Sequence, residues 1–257
     1  MEVAMHFSVP SLWIFEATPA SSAWGFYDRT LAEMHRTLLR ARLARDVIHP
    51  EAQLEGYRVL FTPLMPVISD ELLLKIRKFV ELGGIWILGP LSAYRTEEAT
   101  AHVDAAYGGE LEKWLGVHVR HRVPVGGVRL ISGRGDSACR LWCDAYVSAA
   151  THGVLARYGG GAIDGMTAVL EREIGQGKVV LLGTLPGPDW LGHLLSELAG
   201  GAQWESDAGV DIVQRLDSQG HTRAWVAVNT TSAPRKVKLE AADSTTLGPY
   251  GVLIHRV

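Results

Sequence analysis

The chain has 257 residues and a mass of 28.0 kDa, enough for one large domain or a medium domain followed by a small one. Its net charge of -3 and pI near 6.4 give no electrostatic pull towards nucleic acid or an anionic membrane, and neither partner is expected. No apolar run approaches the ~20 residues of a membrane span, and the first residues lack the charged-then-apolar order of a signal peptide. Cys139 and Cys143 are too few for a disulfide framework, so the expected location is the cytoplasm.

In chain order, Val3 to Ser8 reads as a buried strand. It begins with no disposable residues before it, as expected of a piece of a longer polypeptide. An aromatic loop then runs from Pro10 to Tyr27, carrying Trp13, Phe15, Trp24, Phe26 and Tyr27 with Glu16 as a polar companion. The next helix is capped near Asp28, with Leu31, Met34, Leu38 and Ala41 inward and Arg29, Glu33, Arg36 and Arg40 outward. A short strand at Asp46 to Ile48 ends at His49-Pro50, and Tyr57 to Thr62 forms a buried strand. Ser69 caps a helix with Asp70 and Glu71 in its first turn, Leu72, Ile76, Phe79 and Val80 on its inward stripe, and Gly83 as its stop. Ile85 to Leu88 is another apolar strand. This alternation predicts a parallel α/β sheet flanked by helices.

Open sheets of this class do their chemistry where the strands end. The turn after Leu88 reads Gly89, Pro90, Leu91, Ser92, which offers no cysteine nucleophile. Beyond it the pattern predicts a helix from Glu110 to Leu115 stopped by Gly116, and strands at Val117 to Val119, Val128 to Ile131 and Leu141 to Val147. Thr167 to Ile174 and Lys178 to Leu182 flank Gly175-Gln176-Gly177 as a β-hairpin, and Asp189 to Ala199 is a closing helix stopped at Gly200. From Trp204 the helical period disappears. Val210 to Leu216, Arg223 to Asn229, Arg235 to Leu239 and Gly251 to His255 predict a small all-β domain of about five strands over residues 204–257, after an α/β domain over residues 1–203.

Each candidate for chemistry has a plain structural reading beside it. Cys139 and Cys143 lie four apart on one predicted strand without a second ligand pair, and His118 and His121 fall on opposite faces of another, so buried inert thiols and no metal are expected. Ser92 with His102 reads as ordinary loop rather than a catalytic pair. Glu97-Glu98, Glu51 with Glu55, and Glu171 with Glu173 are not placed as a glycosidase dyad. Gly159-Gly160-Gly161 and Gly175-Gln176-Gly177 read as turns, not phosphate loops, and no cofactor is expected. Asn229-Thr230-Thr231 spells a glycosylation sequon without meaning in the cytoplasm. The aromatic loop carries the most weight: Trp13, Phe15, Trp24, Phe26 and Tyr27 follow the first strand at the ligand-binding end of the sheet. They suit a subunit or domain interface, core packing, or stacking on a sugar with Glu16 as its polar contact.

A set of ordered motifs now supports a comparison: Asp46-Val47-Ile48-His49-Pro50, Leu54-Glu55-Gly56-Tyr57, Phe79-Val80-Glu81-Leu82-Gly83-Gly84 and Leu115-Gly116-Val117. Leu141-Trp142-Cys143-Asp144, Gly175-Gln176-Gly177-Lys178, Leu182-Gly183-Thr184, Val228-Asn229 and Pro249-Tyr250-Gly251-Val252 continue it. In this order the chain resembles the non-catalytic part of the family 42 glycoside hydrolases, the bacterial β-galactosidases. The resemblance implies an amidotransferase-like (flavodoxin-like) trimerisation domain and a small C-terminal β domain, with the catalytic barrel and its two glutamates missing. It further implies a homotrimer, in which the Trp13 to Tyr27 loop packs on neighbouring subunits and helps wall their clefts. The fragment is then expected to be inactive alone. The alternatives are a carbohydrate-binding module that uses the aromatic loop to contact a galactoside, and a free-standing amidotransferase-like hydrolase.

Overall fold

The computed structural model describes residues 2–18, 26–148, 153–202, 204–239 and 244–257. Its first half alternates strands and helices: β1 (Val3–His6), α1 (Val9–Ala17), α2 (Phe26–Arg40), β2 (Arg45–Ile48), β3 (Val59–Thr62), α3 (Asp70–Glu81) and β4 (Ile85–Leu88). There follow α4 (Gly109–Leu115), β5 (Val117–Pro124), β6 (Arg129–Ile131), β7 (Ser137–Ala138), β8 (Trp142–Ser148), β9 (Val154–Gly159), β10 (Thr167–Ile174), β11 (Gly177–Leu182) and α5 (Pro188–Ala199). The C-terminal part holds β12 (Glu205–Ser206), β13 (Val210–Leu216), β14 (Thr222–Asn229), β15 (Arg235–Lys238), β16 (Thr245–Leu247) and β17 (Val252–Arg256).

Among the described residues, β1 to β11 form one 11-stranded sheet in the order β2-β1-β3-β4-β11-β10-β9-β6-β7, with β8 joining β10 to β5. The strands from β2 to β11 in this order pair in parallel, and β11 then turns back on β10 to begin an antiparallel half. The inner parallel strands β1, β3 and β4 are buried on both faces with a period of two, whereas the edge strand β2 is partly exposed. Val3, Met5, Val59, Phe61, Ile85 and Ile87 face α2 and α5, while Ala4, Leu60, Trp86 and Leu88 face α3 and α4. No helix among the described residues is long and apolar enough to cross a membrane.

The local signals act as physics requires. Ser69 Oγ accepts the Leu72 N–H to cap α3, and α4 and α5 end on Gly116 and Gly200 at φ +62° and +88°. In the β10–β11 hairpin the glycines divide the work. Gly175 takes the positive φ of +60°, whereas Gly177 already belongs to β11 and is needed for close approach, because a Cβ there would overlap the carbonyl oxygens of Val80 and Gly84.

Several expectations are corrected. Much of the predicted aromatic loop is helix α1: Ser8 caps it by accepting the Ser11 N–H, and Pro10 sits in the first turn, where its missing N–H costs nothing. Cys139 and Cys143 do not share a strand, because the chain kinks at Leu141 (φ +69°) before β8 begins. A register shift between Val119 and His121 brings His121 onto the same side as His118; their partners, Ala145 and Val147, are two residues apart on β8. Gly160 does open a short 3₁₀ turn at Gly161–Ile163, but its N–H is taken by the Asp164 carboxylate at 2.7 Å, where a phosphate would have to sit. The sequon's Asn229 is fully buried with its Nδ2 donating to the carbonyls of Ala233 and Gly248, so it cannot accept a glycan. The C-terminal part is all-β as expected, with six short strands among the described residues in two three-stranded sheets, β12-β15-β16 and β13-β14-β17.

Candidate functional site

The carboxyl ends of the parallel strands are where a sheet of this kind would carry chemistry. After β4 the backbone is strained, with Leu91 at φ +54° and Ala93 at φ +55°. A nucleophile on a strand-end turn is held in such a strained position. Here the strained side chain is Leu91, apolar and buried. Ser92, the nearest hydroxyl, is consumed by structure: its Oγ accepts the Met65 N–H at 3.0 Å and donates to the Thr62 carbonyl at 3.2 Å. His102 packs its ring against Gly108 instead of approaching that hydroxyl. Cys139 and Cys143 are buried beside each other; their shared hydrogen bond, then burial, raises the Cys139 thiol's pKa, while the same bond lowers that of Cys143, and neither stands on the turn after β4.

The aromatic residues separate into two groups. Tyr27 and Phe15 are core residues, stacked at 5.8 Å with planes 22° apart, and half-buried Phe26 meets Phe15 edge-on at 5.5 Å. The Tyr27 hydroxyl accepts the Ser8 N–H at 2.9 Å, tying α2 to the start of α1, and burial pushes its pKa up to about 12. Trp13 and Glu16 lie on the outward side of α1. Trp13 is 63% exposed, an unusual state for an indole, and Val9 lies one turn before it on the same stripe. Trp24 lies outside the described residues.

Two polar constructions were not foreseen from the sequence. His6, at the end of β1 and fully buried, holds its Nδ1 3.0 Å from Thr62 Oγ1, which also accepts the Trp86 Nε1–H at 2.8 Å. Burial first, then the nearby charges of Lys75 and His49, lower its pKa to about 4, so the ring is neutral. The second construction surrounds Asp144, which is 1% exposed and grasped by Arg122 through Nε at 2.6 Å and Nη2 at 3.0 Å, with the Tyr107 hydroxyl donating at 2.8 Å. The guanidinium stands over the rings of Tyr94 and Tyr107. Burial, then the Asp144 charge, raises the Tyr107 pKa well above its usual value and keeps the phenol a donor. The first had a faint signal, a single imidazole closing the otherwise apolar run Val3-Ala4-Met5; the second had none, because its members come from α4's approach, β5 and β8.

The family model described as the beta-galactosidase trimerisation domain matches residues 1–205. The beta-galactosidase YesZ of Bacillus subtilis (strain 168) is 31% identical over 249 residues, spanning 88% of this chain but 37% of that protein. BgaH of Haloferax lucentense is 29% identical over 248 residues, covering 95% and 36%. Among solved structures, a beta-galactosidase from Bacillus circulans sp. alkalophilus superposes over 100% of this chain and 41% of its own at a TM-score of 0.89 with 20% identity. Gan42B, a GH42 beta-galactosidase, covers 98% and 40% at a TM-score of 0.84 with 18% identity. The chain thus spans little more than a third of the length of these curated relatives.

Proposed function

Because the chain belongs to the beta-galactosidase trimerisation domain family, we propose that it is the oligomerisation and accessory region of a longer β-galactosidase that removes terminal non-reducing β-D-galactose from β-galactosides. The carrying observation is the match over residues 1–205 to a trimerisation domain, in a chain that spans 37% of the length of YesZ. On this reading residues 1–203 form the assembling unit and residues 204–257 a separate β unit. In support, the third hydrophobic cluster gathers Trp204, Val210, Ile212, Trp225 and Val237 and draws Ala44 alone from before Trp204. Three copies associate, and the outward stripe of α1 with Trp13 and Glu16 faces a neighbouring subunit. The catalytic barrel is a further partner of the same polypeptide. The two unpaired cysteines support a cytoplasmic location.

The chain alone is inert towards galactosides. Light scattering of the purified chain should give about three times its 28.0 kDa mass, and incubation with an aryl β-galactoside should give no turnover above a boiled control; a single-copy mass or real turnover defeats the respective half of the proposal. The exposed Trp13 indole beside Glu16 supports a second reading, contact with a galactoside. Galactoside titration of the wild type and Trp13→Phe, read by tryptophan fluorescence, separates it: a saturable change lost in the variant favours sugar contact, and no change leaves assembly alone.

A further inference from the structure

A ring of three copies closes through a heterologous contact, in which each copy presents two different and complementary surfaces. The outward stripe of α1 offers one of them. Trp13 is 63% exposed there, with exposed Val9 one turn before it and exposed Glu16 beside it, and Glu16 has no ion-pair partner among the described residues. The complement has to lie off α1, receive an indole on apolar walls and set a cation against Glu16.

A groove of about 420 Å3 at the amino ends of β3 and β4, beside the last turns of α3, meets these conditions. Leu54, Tyr57, Phe79 and Leu82 wall it. The bare backbone of Gly84 admits the Phe79 ring, since a Cβ there would overlap it, and Leu82 is 70% exposed without apolar cover. Two lysines line the groove against one carboxylate, Glu55. Lys75 is held by the carbonyls of Pro50 at 2.8 Å and Ala52 at 3.2 Å, whereas exposed Lys78 has no ion-pair partner among the described residues. Two other cavities fit less well. One of about 270 Å3 at the carboxyl ends of β1 to β3 is bordered by α1 itself and sets Glu51 and Glu71 against Lys75. Another of about 430 Å3 beside α4 has Val147 as its one branched apolar residue and sets Asp104 and Glu112 against Lys113. In both, the excess of carboxylates repels Glu16.

We propose that the groove beside α3 is the socket for the α1 stripe of a second copy of this chain, with Trp13 packing on Phe79 and Leu82 and Glu16 meeting Lys78, a pairing that rests on the three-copy reading. Sedimentation equilibrium of the full 257-residue chain tests it on wild type, Glu16→Lys, Lys78→Glu and the double variant. Both side chains are exposed, so the substitutions leave the core untouched. Each single reversal sets like charges together and should weaken association about tenfold or more. The double variant restores opposite charges and should recover the wild-type association to within about threefold. Under oxidised glutathione, a chain carrying Glu16→Cys and Lys78→Cys should form disulfides between copies, while either substitution alone forms none. A wild-type trimer that neither reversal weakens, a double variant that is not rescued, or a doubly substituted chain that stays unlinked overturns this pairing and leaves the three-copy reading standing. A wild-type chain that stays as single copies overturns both.

Discussion

Replacing Arg122 with leucine strands a buried charge, and the size of the effect can be worked from the geometry. Asp144 is 1% exposed and loses both guanidinium bonds, at 2.6 and 3.0 Å, keeping the Tyr107 hydroxyl at 2.8 Å. Breaking such a buried pair from one side costs about 3–5 kcal/mol, far more than the pair contributes relative to an apolar substitute. The Arg122 side chain is 25% exposed, which admits some water to the stranded carboxylate and places the loss near the lower end, about 3 kcal/mol. For a chain of this size that corresponds to a melting temperature lower by about 6–12 °C. The sign with pH follows. A stranded buried carboxylate takes up a proton more readily in the folded than in the unfolded chain, so lowering the pH favours the folded variant and the deficit shrinks. Urea unfolding of wild type and Arg122→Leu at one protein concentration, at pH 5 and pH 8, measures both quantities. A loss under about 1 kcal/mol, or a deficit equal at the two pH values, would refute the reasoning.

Tyr27→Phe leaves the Ser8 N–H buried without its acceptor and should cost about 1–3 kcal/mol by the same urea measurement, without change in aromatic packing. Gly177→Ala forces a methyl against the Val80 and Gly84 carbonyls and should lose about 1–3 kcal/mol, while Gly126→Ala, which meets nothing within 4 Å, should stay within about 0.5 kcal/mol. His6 binds its proton with a pKa near 4 in the folded protein against 6.5 in the unfolded chain. The unfolded state therefore holds the extra proton between these values, and wild-type stability falls as pH drops through that window, by up to about 3 kcal/mol. His6→Asn should flatten that slope when the two proteins are unfolded in urea at pH 4.5 and 7; parallel slopes would show that His6 does not titrate in this way.

Where structure is fixed by neighbours in the chain, reading the residues succeeded. Ser69 with Asp70 and Glu71 starts α3 one residue later, and Ile85 to Leu88 is β4 at its full length. The Gly175 hairpin pairs Ile174 with Gly177 as its turn demands. Pro10, where the predicted loop begins, lies in the first turn of α1, because proline breaks a helix interior yet fits a first turn once a cap is in place, and Ser8, two residues earlier, supplies that cap. The aromatic residues looked alike in sequence. Once α1 and α2 pack, a helical turn sends Phe15 and Tyr27 into the core and leaves Trp13 and Glu16 in solvent.

The one-dimensional order of residues determined the strand–helix alternation, the helix ends and the want of a nucleophile at the Gly89 turn, because backbone geometry, capping and side-chain chemistry act over a few neighbouring residues. Packing alone decided that half the sheet is antiparallel, that His121 joins the side of His118, and that Asp144 meets Arg122 while His6 meets Thr62. Those outcomes rest on burial and on pairings between residues 22 to 56 positions apart, and such contacts acquire their energy only when the whole sheet has excluded water from between them.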